Sequence, residues 1–286
     1  MEEVQMKMKT FISTAVLGMT LSLSAQAGPF ILAGTDADDH GNASATANNS
    51  GWLFMQRALE NLVTSASLNN GFLNVVNLGS NAGTQAANAA ASAFGFSSLA
   101  TNGWSFSNVN GVTDITNFFN GSGASNINNT GIIMMDSGSN NVSGGSDSIE
   151  RGLFTTNAAL IDSFLGAGGG LFSQSNGYGW VTSLLPTLTI VNGGGSGANL
   201  TAAGMAAFPG LTNADLTGGP RHNRFSNTGA LPVLAVDNSQ IAVIIGSEGG
   251  SITNPGGGNQ IPEPASLALL GLGLAGLGFS RKKKVA

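Results

Sequence analysis

Between Pro29 and Gly246 the apolar residues fall into two alternating kinds of run. Pro29 to Gly34 (PFILAG) is a short continuous apolar stretch that ends in a polar one, TDADDHGNASATANNSG. From Trp52 to Ala66 the apolar positions recur every three or four residues, at Trp52, Leu53, Met55, Leu59, Leu62, Val63 and Ala66, with Glu60 and Asn61 opposite. That spacing predicts an amphipathic helix. Phe72 to Leu78 (FLNVVNL) returns to a strand pattern, so strand, helix and strand make a parallel unit.

The alternation continues. Alanine-rich Ala86 to Phe96 and the short Ile115 to Phe119 read as helices, and Thr130 to Met135 (TGIIMM) as a buried strand ending at Asp136. Ala158 to Gly166 (AALIDSFLG) is a helix closed by glycine, which accepts the left-handed cap conformation at low cost. Gly170 to Phe172, Leu188 to Val191, Val233 to Val236 and Ile241 to Gly246 complete the strands, the last two as a hairpin across Asp237 to Gln240. Strands alternating with helices predict a three-layer α/β domain with a mostly parallel sheet over residues 28–246.

Composition narrows the function classes. Only 9% of residues are charged and 43 are glycine, yet 42% are hydrophobic, enough for a core and against wholesale disorder. Of the ten basic residues, Lys7 and Lys9 lie near the start and Arg281, Lys282, Lys283 and Lys284 at the end, which leaves Arg57, Arg151, Arg221 and Arg224 for the body. Acids dominate the stretch from Asp36 to Glu263, so the body lacks the positive footprint that phosphate neutralisation needs, and nucleic acid is excluded as a partner. The chain has no cysteine, which removes disulfides, thiolate metal sites and a cysteine nucleophile together.

Both ends read as processing signals. Residues 6–27 (MKMKTFISTAVLGMTLSLSAQA) give a basic flank, an apolar run and the small residues Ala25 and Ala27, so residues 1–27 are a secretory signal peptide cleaved before Gly28. Residues 247–261 form a glycine-rich linker. The end reads IPEPASLALLGLGLAGLGFSRKKKVA; its apolar run, Ala265 to Phe279, is about 15 residues, short of the roughly 20 that cross a bilayer comfortably, though it can span marginally with its basic end on the cytoplasmic side. By composition alone it is a transmembrane anchor.

The triplet Pro262, Glu263 and Pro264, the Gly/Leu/Ala-rich helix and the basic end Arg281 to Lys284 together resemble the PEP-CTERM sorting domain, residues 262–286, also called an ice-binding protein C-terminal domain. The resemblance implies a Gram-negative source, exosortase as a partner, transient attachment to the inner membrane and cleavage near the triplet. It further implies a destination at the cell surface or in an exopolysaccharide matrix. The ice-binding label describes a tail and not an activity.

Two strings in the body, LIDSFLGAGGGLFSQSNGYGW (Leu160 to Trp180) and LTAAGMAAFPGLTNADLTGGPRHNRF (Leu200 to Phe225), resemble class I glutamine-amidotransferase-like domains of the trehalose-utilisation type. The resemblance implies a flavodoxin-like fold. Amidotransferases of that fold need a cysteine at a sharp strand-to-helix turn, and this chain has none; FSQSNGYG around Ser173 and Ser175 also fails the G-x-S-x-G pattern.

In open α/β sheets ligands bind beyond the carboxyl ends of the strands. Three loops qualify. Thr35 to Gly41 offers Asp36, Asp38, Asp39 and His40, a carboxylate density that can hold Ca2+, although His40 and Ala47 stand at the fifth and twelfth positions where a calcium-binding EF-hand loop has Asp or Asn and Glu. The plain alternative is a solvated acidic turn. Asp136, after the central strand, can face the same crevice or cap a turn. Arg221 and His222, in RHNR, can bind an anionic sugar or pair with surface acids. Trp52, Trp104, Tyr178 and Trp180 are stacking candidates or buried aromatics.

The leading expectation is an exported, non-enzymatic surface or matrix protein associated with polysaccharide. The alternative is a hydrolase or sugar-modifying enzyme using Asp36, Asp136 and His222. A β-rich adhesin or ice-binding solenoid would show a short repeat, and none is found.

Overall fold

The computed structural model describes residues 28–137, 144–174, 177–217 and 220–247. The first half of the chain gives β1 (Phe30–Ala33), β2 (Gly41–Ala43), β3 (Asn48–Ser50), α1 (Gly51–Thr64), β4 (Asn74–Leu78), α2 (Gln85–Gly95), α3 (Ser98–Thr101), β5 (Ser105–Val109), α4 (Val112–Asn120) and β6 (Ile132–Met135). There follow α5 (Ser148–Thr156), α6 (Ala158–Gly166), β7 (Gly170–Ser173), α7 (Gly179–Leu184), β8 (Thr189–Ser196), β9 (Asn199–Leu200), α8 (Ala202–Ala207), α9 (Asn213–Thr217), β10 (Pro220–Ser226), β11 (Val233–Val236) and β12 (Ala242–Ser247).

All four residues of β1, of β6 and of β7 are buried, as a strand covered on both faces requires. Successive side chains leave opposite faces. Phe30 and Leu32 therefore join one apolar cluster with Ile115, Phe118, Phe154 and Ile161 of α4, α5 and α6, while Ile31 and Ala33 join another with Phe54, Leu59 and Ala89 of α1 and α2. Helices thus cover both faces, and the architecture is mixed α/β. Phe54 binds the second layer by meeting the rings of Phe172 and Phe208 edge-on, at 5.7 and 5.5 Å.

The main sheet runs β5-β4-β6-β7-β1-β12-β10-β8, with β11 and β9 added beside β12. From β5 to β1 every pairing is parallel; from β12 outward the pairings are antiparallel. The expected strand-helix-strand start is parallel, but β1 and β4 are not neighbours, because β6 and β7 lie between them. The hairpin expected across Asp237 to Gln240 is present as β11 and β12. Two polar stretches form strands that apolar patterning does not announce: the small β2–β3 pair inside the acidic turn, and β10, which contains the RHNR sequence.

β10 crosses the end of β1 at Gly34. The Gly34 carbonyl accepts the amides of His222 (2.8 Å) and Asn223 (3.2 Å), and a Cβ on Gly34 would lie 1.9 Å from the Asn223 carbonyl oxygen. Only glycine lets the two backbones approach this closely. Gly34→Ala is therefore expected to cost about 2 kcal/mol by overpacking, read as a fall of about 4–8 °C in Tm. Gly95→Ala, whose Cβ would meet nothing within 4 Å, should leave Tm unchanged or raise it.

Candidate functional site

Because β4, β6, β7 and β1 are adjacent and parallel, the residues that follow them share one edge of the sheet. They are Ser80 after β4, Asp136 and Ser137 after β6, Gln174 after β7, and Thr35 to Asp39 after β1. The connection from β4 leads outward to β5, and the next strand, β6, returns on the other side of β4. A reversal of this kind opens a crevice at the carboxyl edge.

Three aspartates of the first loop converge there, with carboxylate oxygens of Asp36, Asp38 and Asp39 within 4.8 Å of one another. Asp36 is 1% exposed; its Oδ1 accepts from Ser137 Oγ at 2.5 Å, and its Oδ2 lies 2.8 Å from His222 Nε2 and 3.6 Å from His40 Nε2. Asp38 has no exposed surface. Its two oxygens receive long contacts, 3.4 Å from the Ser137 amide and 3.4 Å from Gln174 Nε2. Gln174 is oriented through its Oε1, which accepts from Thr35 Oγ1 and the Ala37 amide at 3.3 Å each.

Asp136 is held differently. Ser80 Oγ donates to one of its oxygens (2.6 Å) and the Ser146 amide to the other (2.8 Å), while Asn77 Nδ2 donates to Ser80 Oγ (2.7 Å). Gly79, at φ 99, makes room: a Cβ there would lie 2.5 Å from that of Ser146. Behind the crevice the buried Tyr178 hydroxyl reaches the carbonyls of Ala33 (2.6 Å) and Ser173 (2.8 Å), so one phenol ties together the ends of β1 and β7. Burial pushes that phenol well above its ordinary range, and it stays a neutral donor.

Electrostatics separate the titratable groups. Burial first, and then the charges of Asp136 and Asp36, raise Asp38 well above the usual 3.8, with the Ser137 hydrogen bond opposing. His222 is raised above 6.5 chiefly by its hydrogen bond to Asp36; partial burial opposes this and the charges of Asp36 and Asp39 add to it. Arg221 forms an ion pair at 3.2 Å with the buried Asp237, on the same oxygen that Arg224 reaches at 3.1 Å. Burial pushes Asp237 up, but the Ile241 amide, Arg224, the Ser239 amide and Arg221 together hold it below 3.8.

Asp36, Asp38, Asp39, Asp136 and His222, picked from separate stretches of sequence, thus stand in one crevice, with His40 beside them. Ser80, Gln174 and Ser146 complete it and carry no sequence signal beyond their place after strands or before a helix. A hydrolytic triad sets histidine between serine and carboxylate. Here Asp36 stands between Ser137 and His222, so His222 is not positioned to take a proton from that hydroxyl. Of the two serines near the strand-to-helix turn, Ser173 is buried in β7 and Ser175 lies outside the described residues. Among the aromatic candidates, Tyr178 and Trp180 are core residues at 2% and 0% exposure, and Trp52 donates its indole N–H to the Asp38 carbonyl (2.9 Å).

The C-terminal end of the chain is reached by comparison instead. A family model, the PEP-CTERM protein-sorting motif, matches residues 260–282. The chain carries a PEP-CTERM sorting motif. Such a motif implies export, recognition by exosortase and sorting to the cell surface. No curated protein and no solved structure matches the chain. Among the described residues no helix is long and apolar enough to cross a membrane. The apolar segment Ala265 to Phe279, the triplet Pro262 to Pro264, the basic residues Arg281 to Lys284 and the signal residues Ala25 and Ala27 lie outside the described residues. Gly28, the first described residue, is buried and donates its amide nitrogen to the Leu165 carbonyl at 2.6 Å.

The crevice has a pH signature. Above 3.8 the folded chain keeps a proton on Asp38 that the unfolded chain has lost, so stability falls as pH rises through that interval. His222 contributes fully below 6.5 and loses its contribution as pH rises through its elevated folded value. Both act in the same direction. In chelator, Tm should fall between about pH 5 and about pH 8, and His222→Asn should flatten the part near neutrality; a Tm that rises over this interval would refute the assignment.

Proposed function

We propose that this is an exported cell-surface or exopolysaccharide-matrix protein, delivered by the exosortase system, with a non-enzymatic α/β body that holds Ca2+ in the aspartate crevice. The observation that carries the export reading is the sorting motif at residues 260–282. Signal cleavage before Gly28 agrees with the position of that residue: a new α-ammonium there would sit on the last turn of α6, where the helix carbonyls favour a positive charge. The order of β5, β4, β6 and β7 is that of the first four strands of a flavodoxin-like sheet, with β1 in the fifth place, which supports relating the body to amidotransferase-like domains.

The calcium reading rests on the convergence of Asp36, Asp38 and Asp39. Hard cations take oxygen donors, and the histidines beside the three carboxylates, His222 and His40, both approach Asp36, and no lysine occurs between residues 28 and 246. The hydroxyl of Ser146, fully buried next to Asp136, has no hydrogen-bond partner among the described residues and adds an oxygen to the neighbourhood. One specific arrangement favours a second reading, a hydrolase: the crevice pairs a buried carboxyl held above its ordinary range, Asp38, with a histidine hydrogen-bonded to Asp36. Turnover of glycosides or esters that is abolished in His222→Ala would decide for it.

Two measurements test the proposal. Mass-spectrometric mapping of both termini in matrix and membrane fractions should find a chain that starts at Gly28 and ends near Pro262 to Pro264 in the matrix. An intact Arg281 to Ala286 end found only in membranes would leave a simple anchor. For the body, calcium at about a hundred times Kd should stabilise by about 2.7 kcal/mol, a rise of about 5–10 °C in Tm. EDTA should reverse it, Asp38→Asn should abolish it, and Asp114→Asn, on the exposed side of α4, should retain it. Equal melting in calcium and EDTA would remove the cation.

A further inference from the structure

At the opposite, amino edge of the sheet a groove of about 410 Å3 opens between the starts of β4 and β5 and the ends of α1 and α3. Its volume is in the range of small-ligand sites. Leu99, 1% exposed, with Val63 and Leu68, makes an apolar floor. Phe72 and Leu73, 41% and 55% exposed, and the half-buried Trp104 rise from it. Adjacent large apolar side chains left in water mark a contact surface more often than chance exposure does.

The rim decides which contact. It consists of Asn69, Asn70, Asn102 and Ser98, with no charged side chain lining the groove. Asn70 is part of the framework: its amide donates to the Thr130 carbonyl (2.8 Å) and its oxygen accepts the Phe72 amide (3.3 Å), which fixes the turn that presents Phe72. The side chains of Asn102 and Ser98 and the indole N–H of Trp104 make no hydrogen bond among the described residues. They remain available to a ligand at the groove mouth.

We infer that this groove binds a neutral saccharide chain. A sugar ring presents an apolar C–H face that packs on aromatic and aliphatic side chains, and an edge of hydroxyls that side-chain amides can serve as both donor and acceptor. An anionic polysaccharide or an anionic lipid surface would call for arginine or lysine, and the groove has neither. A peptide segment is less well matched: β5 is an edge strand and starts beside the groove, but none of its residues lines it, so the groove itself offers no backbone ladder for strand addition. The site is separate from the aspartate crevice. It deepens the matrix reading, on which only its biological setting rests, because the binding is inferred from the groove and is measured on purified protein.

The test is titration calorimetry and saturation-transfer NMR on the full chain with cellohexaose, maltohexaose and mannohexaose, and with hexagalacturonate as the anionic control. At least one neutral hexasaccharide should bind, with hexagalacturonate weaker. Phe72→Ala should weaken binding about tenfold or more, equivalent to about 1.4 kcal/mol. Asn102→Leu, which keeps the size of the side chain but removes its amide, should weaken it too, and both variants should keep the wild-type Tm. No binding by any neutral hexasaccharide overturns the inference, as does unchanged affinity in Phe72→Ala. Self-association removed by Phe72→Ala, in place of sugar binding, would assign the groove to a second copy of the chain and also overturn it. None of these outcomes bears on the sorting tail, which terminal mapping tests independently.

Discussion

Asp38 is buried without exposed surface among the carboxylates of Asp36, Asp39 and Asp136, and the arrangement of the carboxyl edge follows from how that charge is accommodated. An isolated buried carboxylate is costly, and like charges beside it raise the cost further. The chain distributes the burden. Asp136 is satisfied at both oxygens by Ser80 and Ser146, and Asp36 by Ser137 and His222. Asp38 receives long hydrogen bonds from the Ser137 amide and Gln174, and burial with the neighbouring charges outweighs the Ser137 side chain to hold its carboxyl above the ordinary range.

The two halves of the sheet supply different parts of this solution. The parallel half sets four strand ends side by side, which places aspartates from β1 and β6 within reach of one another. The antiparallel half supplies the histidine: β10 is drawn over the end of β1 by its bonds to the Gly34 carbonyl, and His222 arrives on Asp36 as a result. Asp237 then secures the far side of β10 by holding Arg221 and Arg224 on a single oxygen. Sheet topology, a glycine contact and an ion-pair cluster thus act on one histidine.

Much of this was legible in the amino-acid sequence because burial leaves a strong pattern. PFILAG and TGIIMM are continuous apolar runs, and the acids that follow each of them had to emerge at a strand end. RHNR stood out as a cationic cluster, but PRHNRFS has no apolar alternation, so its identity as β10 was hidden; its pairing with β8 and β12 is a tertiary fact. The same holds for SFSNV, which becomes β5 only because β4 lies beside it. Ser80 and Gln174 were missed for another reason: a single serine or glutamine after a strand is common, and only the neighbouring strand shows what it donates to. The sorting motif was legible without any fold, since its ordered triplet, apolar run and basic end are a pattern in the sequence itself.

The most direct measurement is a carboxyl-carbon NMR titration of aspartate-labelled protein, first in chelator and then with calcium. Asp38 should remain protonated well above the ordinary aspartate range in chelator and ionise when calcium is added at constant pH, with Asp36 and Asp39 shifting at the same point of the titration. An Asp38 that is already ionised in chelator, or whose signal ignores calcium, would contradict the cation site on which this reading of the body depends.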